Sequence, residues 1–406
     1  MKLRKFLKVC GIAVLAFCLS WFVAYDFTSL SYFSPLEKAS DFLASDFYTL
    51  VADSRNVKHY ESRITVVAID DLSRPEIAET LRSIAVARPR VTAIDILFPE
   101  RDLSDTVLVN AMNMLGDVVY ADLFMDEEEQ PGNAPASLYD YVDAGVSGMV
   151  NLDATSVRSV IRSFNPRFTD VDGNHFDSFA AAAVGIYAPE KYAELLARDK
   201  NSEIISFHSL EFDVLGADEV ADNPELIIDR IVMVGAVADF GDIHSTPVDE
   251  ATPGVFIHAY AAATILNGNY INPVPDWVEY ALAMALALIF IVTQLTIGDT
   301  KPGNMVVRWL QVGLLILMVS VGSMVFISFN YSLDLTLPLL MVALSLLAVD
   351  IWEFAEEIPG IMLNLYGKFK LLYAKLLTLF RKVKNLLHPI KNPFSFFKNM
   401  RLLNNK

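Results

Sequence analysis

Four apolar runs, each close to the length that crosses a lipid bilayer, constrain this chain more than any other feature of its sequence. They cover residues 6–25, 277–297, 309–329 and 335–352. A transmembrane helix needs about 20 mainly apolar residues, with a range of roughly 17 to 25. The runs therefore exclude an ordinary soluble enzyme and predict four membrane-spanning helices.

The first run follows a basic head and resembles a signal sequence. Cleaved signal peptides have an apolar region of about 7–15 residues, followed by a site of small residues. Here the run is longer, and Trp21, Phe22 and Tyr25 occupy the place of a cleavage site. Residues 1–25 are therefore predicted to be an uncleaved signal anchor, with cleavage as the alternative.

Charge is distributed unevenly along the chain, which predicts the side of the membrane that each part occupies. Residues 1–25 carry four basic and no acidic side chains, residues 26–276 carry 16 basic and 42 acidic, and residues 358–406 carry ten basic and no acidic. Because basic segments stay in the cytoplasm, both termini are predicted inside and the acidic region outside. Nucleic-acid binding is excluded as a function of the acidic region, since it requires Lys and Arg to neutralise phosphates.

The acidic region alternates between apolar strand patterns and helical patterns. Strands are predicted at 64–70, 91–98, 118–124, from 202 and at 227–237, and helices at 34–52, 75–87, 105–115, 177–187, 189–199 and 253–269. Such alternation is typical of a parallel sheet with helical crossovers. The predicted fold is one α/β extracytoplasmic domain over 26–276 with a mainly parallel sheet, three transmembrane helices within 277–357 and a basic tail over 358–406.

Polar side chains follow several predicted strands, at the edge of the sheet where α/β proteins bind ligands. A carboxylate and histidine cluster there is suited to a divalent cation or a polar ligand, whereas acids after strands also serve as helix caps. Structural, ligand-binding and catalytic roles all remain open, and no metal is assigned. His258 lies in an alanine-rich helix and is predicted to be a buried histidine. The candidate ligand-binding residues are Asp70, Asp71, Asp95, Glu100, Asp102, Asp242 and His244.

Signatures of catalysis are missing from the sequence. It has no Gly-x-Ser-x-Gly elbow, Walker loop or His-Glu-x-x-His motif, and its two cysteines, Cys10 and Cys18, lie in the first apolar run. We therefore expect no enzymatic activity, no catalytic residue and no cofactor. An enzyme that uses the acidic crevice is the third-ranked alternative.

The tail contains a basic amphipathic helix over residues 361–388. Its apolar side chains recur at three- and four-residue spacing, which is typical of a helix that lies on a membrane surface or docks on a cytoplasmic partner. The basic side chains predicted to bind the membrane surface are Lys368, Lys375, Arg381, Lys382 and Lys384.

Five segments together resemble the CHASE type-2 sensory domain of bacterial membrane receptors. They are VVAIDD (66–71), VTAIDILFPERD (91–102), FDSFAAAAV (176–184), SFHSLEFDVLG (206–216) and the long segment 229–271, which contains GAVADFGDIHSTP and PGVFIHA. The order of one span, an ectodomain and three spans is also similar to that family. The chain departs from it where DDLSRPEI replaces a Trp-Pro-rich stretch, and where about 50 residues follow the last span instead of an output module.

The resemblance implies a sensor in the bacterial cytoplasmic membrane. It would bind a small extracytoplasmic ligand or an envelope protein and act through a separate cytoplasmic or membrane partner. Membrane lipid and a second copy of the chain, in a homo-oligomer, are further expected partners. The alternative function is a structural or assembly scaffold of the cell envelope.

Overall fold

The computed structural model describes residues 2–23, 44–55, 58–98, 102–124, 139, 142–143, 145–152, 160–207, 210–298 and 300–387. In this part of the chain a six-stranded sheet forms the centre of an α/β domain, and long apolar helices form a bundle below it.

All six strands of the sheet are parallel. They are β1 (His59–Ala68), β2 (Val91–Asp95), β3 (Val118–Asp122), β4 (Val146–Met149), β5 (Leu210–Gly216) and β6 (Ile231–Gly235). Their spatial order is β4-β3-β2-β6-β1-β5. The late strand β6 is thus inserted between β1 and β2, and its register pairs Gly235 with Ala68 on one side and with Asp95 on the other. The predicted parallel sheet is confirmed.

Helices cover both faces of the sheet. On one face lie α3 (Arg74–Ala87) and α4 (Asp105–Met112), packed through Leu81 and Leu108. On the other lie α5 (Phe179–Tyr187) and α7 (Gly254–Asn267), and α6 (Pro189–Leu196) follows α5. Phe179 is fully buried between α5 and the sheet. The described cores of both faces consist of residues of the α/β domain, so burial within this domain does not depend on the long apolar helices.

Local signals in the sequence account for the ends of these helices. Glu76 accepts hydrogen bonds from the backbone N–H (2.8 Å) and the hydroxyl (2.5 Å) of Ser73, which fixes the start of α3. The side chain of Ser178 accepts from the N–H of Ala181 at the start of α5. Gly268, at φ 63°, ends α7 in the left-handed conformation that glycine adopts at little cost.

The predicted strand from residue 202 is wrong as a strand of the main sheet. Only Glu203–Ile204 is extended, and it pairs with Ser163–Phe164 outside the sheet. The sheet edge is instead β5, where Leu215 is buried and the other residues of LEFDVLG are half-exposed or exposed. An edge strand has a partner on one side only, so its sequence lacks the continuous apolar run of a central strand. Three further short pairings join Arg167–Thr169 to His175–Asp177, Ile243–His244 to Thr252–Pro253, and Asn272–Pro273 to Tyr331–Ser332.

Three described helices contain stretches long and apolar enough to cross a membrane. They are α8 (Asp276–Ile297), α9 (Lys301–Phe329) and the stretch Thr336–Gly360 of α10 (Thr336–Leu387). The first helix, α1 (Lys2–Trp21), packs against α8 and α10 through Ile12, Ala13 and Ala16. Gly11 permits close approach, since a Cβ there would lie 2.5 Å from the ring of Trp352.

The two ends of the bundle carry different contacts. At one end Lys8 of α1 pairs with Glu356 of α10 (3.0 Å), and Arg308 of α9 pairs with Asp350 of α10 (3.1 Å). At the other end the N–H of Asn272 donates to the carbonyl of Asn330 (2.8 Å). The α9–α10 loop therefore lies against the α/β domain, and the start of α1 lies at the opposite end of the bundle.

The helix predicted at 34–52 is described in part, as α2 (Ala44–Arg55), and residues 34–43 lie outside the described residues. The spacing of Phe47, Leu50 and Val51 predicts one apolar buried side, but the structure buries a different side of the helix. Tyr48 and Ala52 are buried against α9, with the Tyr48 ring 6.0 Å from that of Phe326, while Phe47 and Leu50 are exposed. The phenol of Tyr48 fits there because Gly322 presents no side chain to it.

Candidate ligand site at the carboxyl edge of the sheet

The insertion of β6 brings three chain segments together at one edge of the sheet. Asp95 ends β2, Gly235 ends β6 beside it, and the turn after β6 carries Asp242 and His244. The start of α7 approaches the same point. A Cβ on Gly235 would lie 2.9 Å from the Cβ of Val255 in α7, so glycine permits this approach.

Asp242 lies at the N-terminus of α7, opposite Gly254. A Cβ on Gly254 would be 2.5 Å from both carboxylate oxygens of Asp242, so only glycine admits the carboxylate there. A helix N-terminus favours negative charge. The Oδ1 atom of Asp242 is also 3.1 Å from Nε2 of His244, which is partly exposed. Asp242 and His244 thus form a polar pair on the rim of the site.

Asp95 and His258 form the buried part of the site. Oδ2 of Asp95 is 4.0 Å from Nε2 of His258, and their side chains are 12% and 8% exposed. Within the described part of the chain neither side chain makes a hydrogen bond, while the His258 ring packs edge-on against Phe179 at 5.2 Å. A buried polar group without a hydrogen bond is costly, so this pair has unused capacity to bind.

Burial drives both members of the pair toward their uncharged forms. Burial, together with the smaller effect of the negative charge of Asp242, raises the pKa of Asp95 to about 7. Burial lowers the pKa of His258 to about 4, against the opposing effect of Asp242. A low-dielectric environment penalises the charged form of either group.

Asp70 has a different environment from Asp95, although both follow central strands. Its Oδ1 atom accepts hydrogen bonds from the N–H groups of Val237 and Ala238, each at 2.7 Å. These bonds hold the turn after β6 in place. Asp70 therefore orders the backbone around the site.

The remaining acidic candidates are not brought to the Asp95 pair by any described contact. Asp71 is exposed, with φ 54°. Asp102 is exposed, and it accepts hydrogen bonds from the N–H (2.7 Å) and hydroxyl of Ser104 before α4. Glu100 lies outside the described residues.

Tyr139 was missed by the sequence analysis. Its hydroxyl donates to the carbonyl of Ile96 (2.5 Å), and its ring stacks on Tyr120 at 4.4 Å. Burial raises its pKa well above the usual value, and the nearby charge of Asp95 adds to this effect. Tyr139 follows an acidic, Pro- and Gly-containing stretch, where no periodicity indicates a packed ring.

Metal binding receives no support from the described residues. Among them no group of three or more His, Cys, Asp or Glu side chains is arranged to hold an ion. Asp95, Asp242, His244 and His258 are close enough to influence one another but do not converge on one point. Their arrangement suits a ligand that donates hydrogen bonds.

The family is decided by comparison with known proteins. The family model of the CHASE2 domain matches residues 14–293. The chain belongs to the CHASE2 domain family. The match begins inside α1, includes all six strands and ends within α8, which confirms the resemblance found in the sequence.

CHASE2 is a family of extracellular sensory domains, so the chain has a sensor domain. This assignment and the three apolar helices are consistent with a membrane protein. Neither the search of curated proteins nor the search of solved structures found a match.

Proposed function

We propose that this CHASE2 protein is a membrane-bound sensor that binds an extracytoplasmic ligand at the carboxyl edge of its sheet. The observation that carries the proposal is the buried Asp95–His258 pair, which makes no hydrogen bond within the described residues. A ligand that donates to Asp95 would relieve the cost of burying it.

The ligand class we propose is a small molecule with an ammonium or guanidinium group. Asp95 and Asp242 supply negative charge, and His244 supplies a further polar contact on the rim. A cation beside Asp95 would favour its ionised form and form a charge-assisted hydrogen bond. The lack of a three-ligand cluster in the described chain is a reason to place an organic cation ahead of a metal ion.

The proposed topology has four spans, with the ectodomain outside and both termini in the cytoplasm. Packing of α1 against α8 and α10 supports a retained anchor that crosses the membrane with them. Lys8 and Arg308 lie at the end of the bundle away from the ectodomain. This is the distribution that the positive-inside rule expects.

Ligand binding would reach the bundle through the contacts below the sheet. The guanidinium of Arg162 donates two hydrogen bonds of 2.8 Å to the carboxylate of Asp46 on α2. The segment that follows α7 pairs with the α9–α10 loop, where the backbone N–H of Val274 donates a hydrogen bond of 2.9 Å to the carbonyl of Ser332. We propose that these two connections couple the domain to α9 and α10, and that a separate partner protein produces the response.

The ligand site can be tested by thermal unfolding of the full-length protein in micelles with arginine, spermidine and choline as probes, and with glucose and Mg²⁺ as comparisons. A probe at about 100 times its dissociation constant stabilises by about 2.7 kcal/mol. We expect a cationic probe to stabilise the natural protein and Asp95→Asn to abolish the shift.

Asp102→Asn is the matched control, because Asp102 is an exposed acid held by Ser104. It should keep the full shift. Equal shifts in both variants would place the ligand elsewhere, and unfolding of Asp95→Asn without any probe would make Asp95 a structural residue.

A further inference from the structure

The last helix extends far beyond the membrane. At about 1.5 Å per residue, the 52 residues of α10 span roughly 78 Å, whereas the hydrocarbon core is about 30 Å thick. Pro359 lies inside this helix, which continues as one element to Leu387. If the part beyond Pro359 lay on the membrane surface, the helix would have to bend sharply where it leaves the membrane. The structure shows no break in the helix near Pro359.

The part beyond Pro359 carries a heptad repeat in its sequence. Successive apolar positions are separated alternately by four and three residues: Leu365, Phe369, Leu372, Leu376, Leu379, Val383 and Leu386. This spacing has a period of 3.5 residues, and it is sustained for about three heptads, which is typical of a coiled coil. In heptad notation leucine occupies every d position, and Phe, Leu and Val occupy a.

Four members of this repeat are not covered by any other described part of the chain. Phe369, Leu372, Leu376 and Leu379 are between 48% and 71% exposed. They form a continuous apolar seam along the helix. Such a seam requires another helix with the same period, or lipid, to cover it.

We propose that the seam pairs with the same seam of a second copy of this chain, in a parallel two-stranded coiled coil. The second copy has the required period, and a shared membrane topology gives it the same direction. In this register Lys368 of one copy faces Tyr373 of the other, a pairing suited to cation–π contact. The inference goes beyond ligand binding, since it gives the sensor a dimeric output helix.

Because the tail is positively charged, pairing with a second copy and binding to an anionic membrane should respond to salt in opposite directions. Residues 361–387 carry six basic and no acidic side chains. Two adjacent copies repel each other, and salt screens this repulsion. Attraction to an anionic membrane is also screened, so salt would strengthen the dimer and weaken surface binding.

Cysteine cross-linking of the full-length protein in inside-out native membranes tests the proposal. Cys10 and Cys18 are first replaced by alanine. Leu372→Cys and Leu379→Cys then place thiols at d positions, and Ala374→Cys and Thr378→Cys place matched thiols on the outer side of the same helix. A disulfide needs Cα atoms within about 7 Å, so we expect mild oxidation to link the d variants at least about tenfold more than the controls.

Raising the salt concentration should increase the linked fraction of the d variants. Equal linking at all four positions, or none at the d positions, would overturn the proposal. Linking that falls with salt would also contradict it. If the d thiols are instead protected from a water-soluble maleimide without linking, the seam is covered by lipid.

Discussion

Arg162→Met is expected to destabilise the contact between the α/β domain and α2, which packs on α9, by about 3–5 kcal/mol, the usual cost of removing one partner from a buried ion pair. The carboxylate of Asp46 is 7% exposed and accepts two hydrogen bonds of 2.8 Å from this guanidinium. Without the guanidinium the negative charge stays buried. Pulse proteolysis of the full-length protein in urea measures the free energy of unfolding.

Arg167→Met provides the matched control. The Arg167–Asp177 pair is joined by one hydrogen bond of 2.9 Å, and its side chains are 30% and 28% exposed. A solvent-screened pair contributes about 0–1 kcal/mol. Adding Asp46→Asn to Arg162→Met should recover much of the lost stability, because it removes the buried charge. Equal effects of Arg162→Met and Arg167→Met would contradict a stabilising role of the buried Arg162–Asp46 pair.

The second large effect concerns the pH dependence of the free energy of unfolding. In the natural protein Asp95 and His258 make opposing contributions to it, and a substitution of either residue leaves the other contribution unbalanced. The folded pKa of Asp95, about 7, is above its ordinary 3.8, so the folded state binds more protons and the free energy of unfolding falls as pH rises from 4 to 7. The folded pKa of His258, about 4, is below its ordinary 6.5, so the free energy of unfolding rises from pH 4 to 6.5. The two slopes oppose each other.

His258→Gln should therefore become less stable from pH 4 to 7, by up to about 4 kcal/mol at 1.36 kcal/mol per pKa unit. Asp95→Asn should become more stable from pH 4 to 6.5, by up to about 3 kcal/mol. Urea unfolding at several pH values measures both, with the double variant as the reference for all other groups. If the free energy of unfolding changes with pH in the same direction in both variants, Asp95 and His258 are not both buried as described.

The sequence predicted the parts of the fold that depend on local signals. Ser73 and Glu76 mark the start of α3, and the apolar run around Met233 marks a central strand. The rule that ligands bind beyond the carboxyl ends of strands selected Asp95, Asp242 and His244, which the structure brings together. These features depend on spacing and on the chemistry of neighbouring residues.

Other features depend on contacts between distant segments and could not be read from spacing. The position of β6 between β1 and β2 depends on strand pairing. It places the turn after β6 within hydrogen-bond distance of Asp70, which therefore holds this turn, whereas Asp95 makes no such bond in the described part of the chain. The burial of Tyr48 in place of Phe47 depends on Gly322 in a helix more than 250 residues away. The helix that continues through Pro359 contradicts the usual effect of proline, which removes one backbone hydrogen bond and often ends a helix.

The central claim, a sensor domain outside the cell membrane joined to an output helix inside it, is tested most directly by thiol labelling in intact cells. Val171→Cys places a thiol on the exposed surface of the α/β domain, and Lys370→Cys places one on the part of α10 beyond Pro359, both in a variant without Cys10 and Cys18. We predict that a membrane-impermeant maleimide labels position 171 in intact cells and position 370 only after permeabilisation. Labelling of position 370 in intact cells, or protection of position 171, would contradict the account.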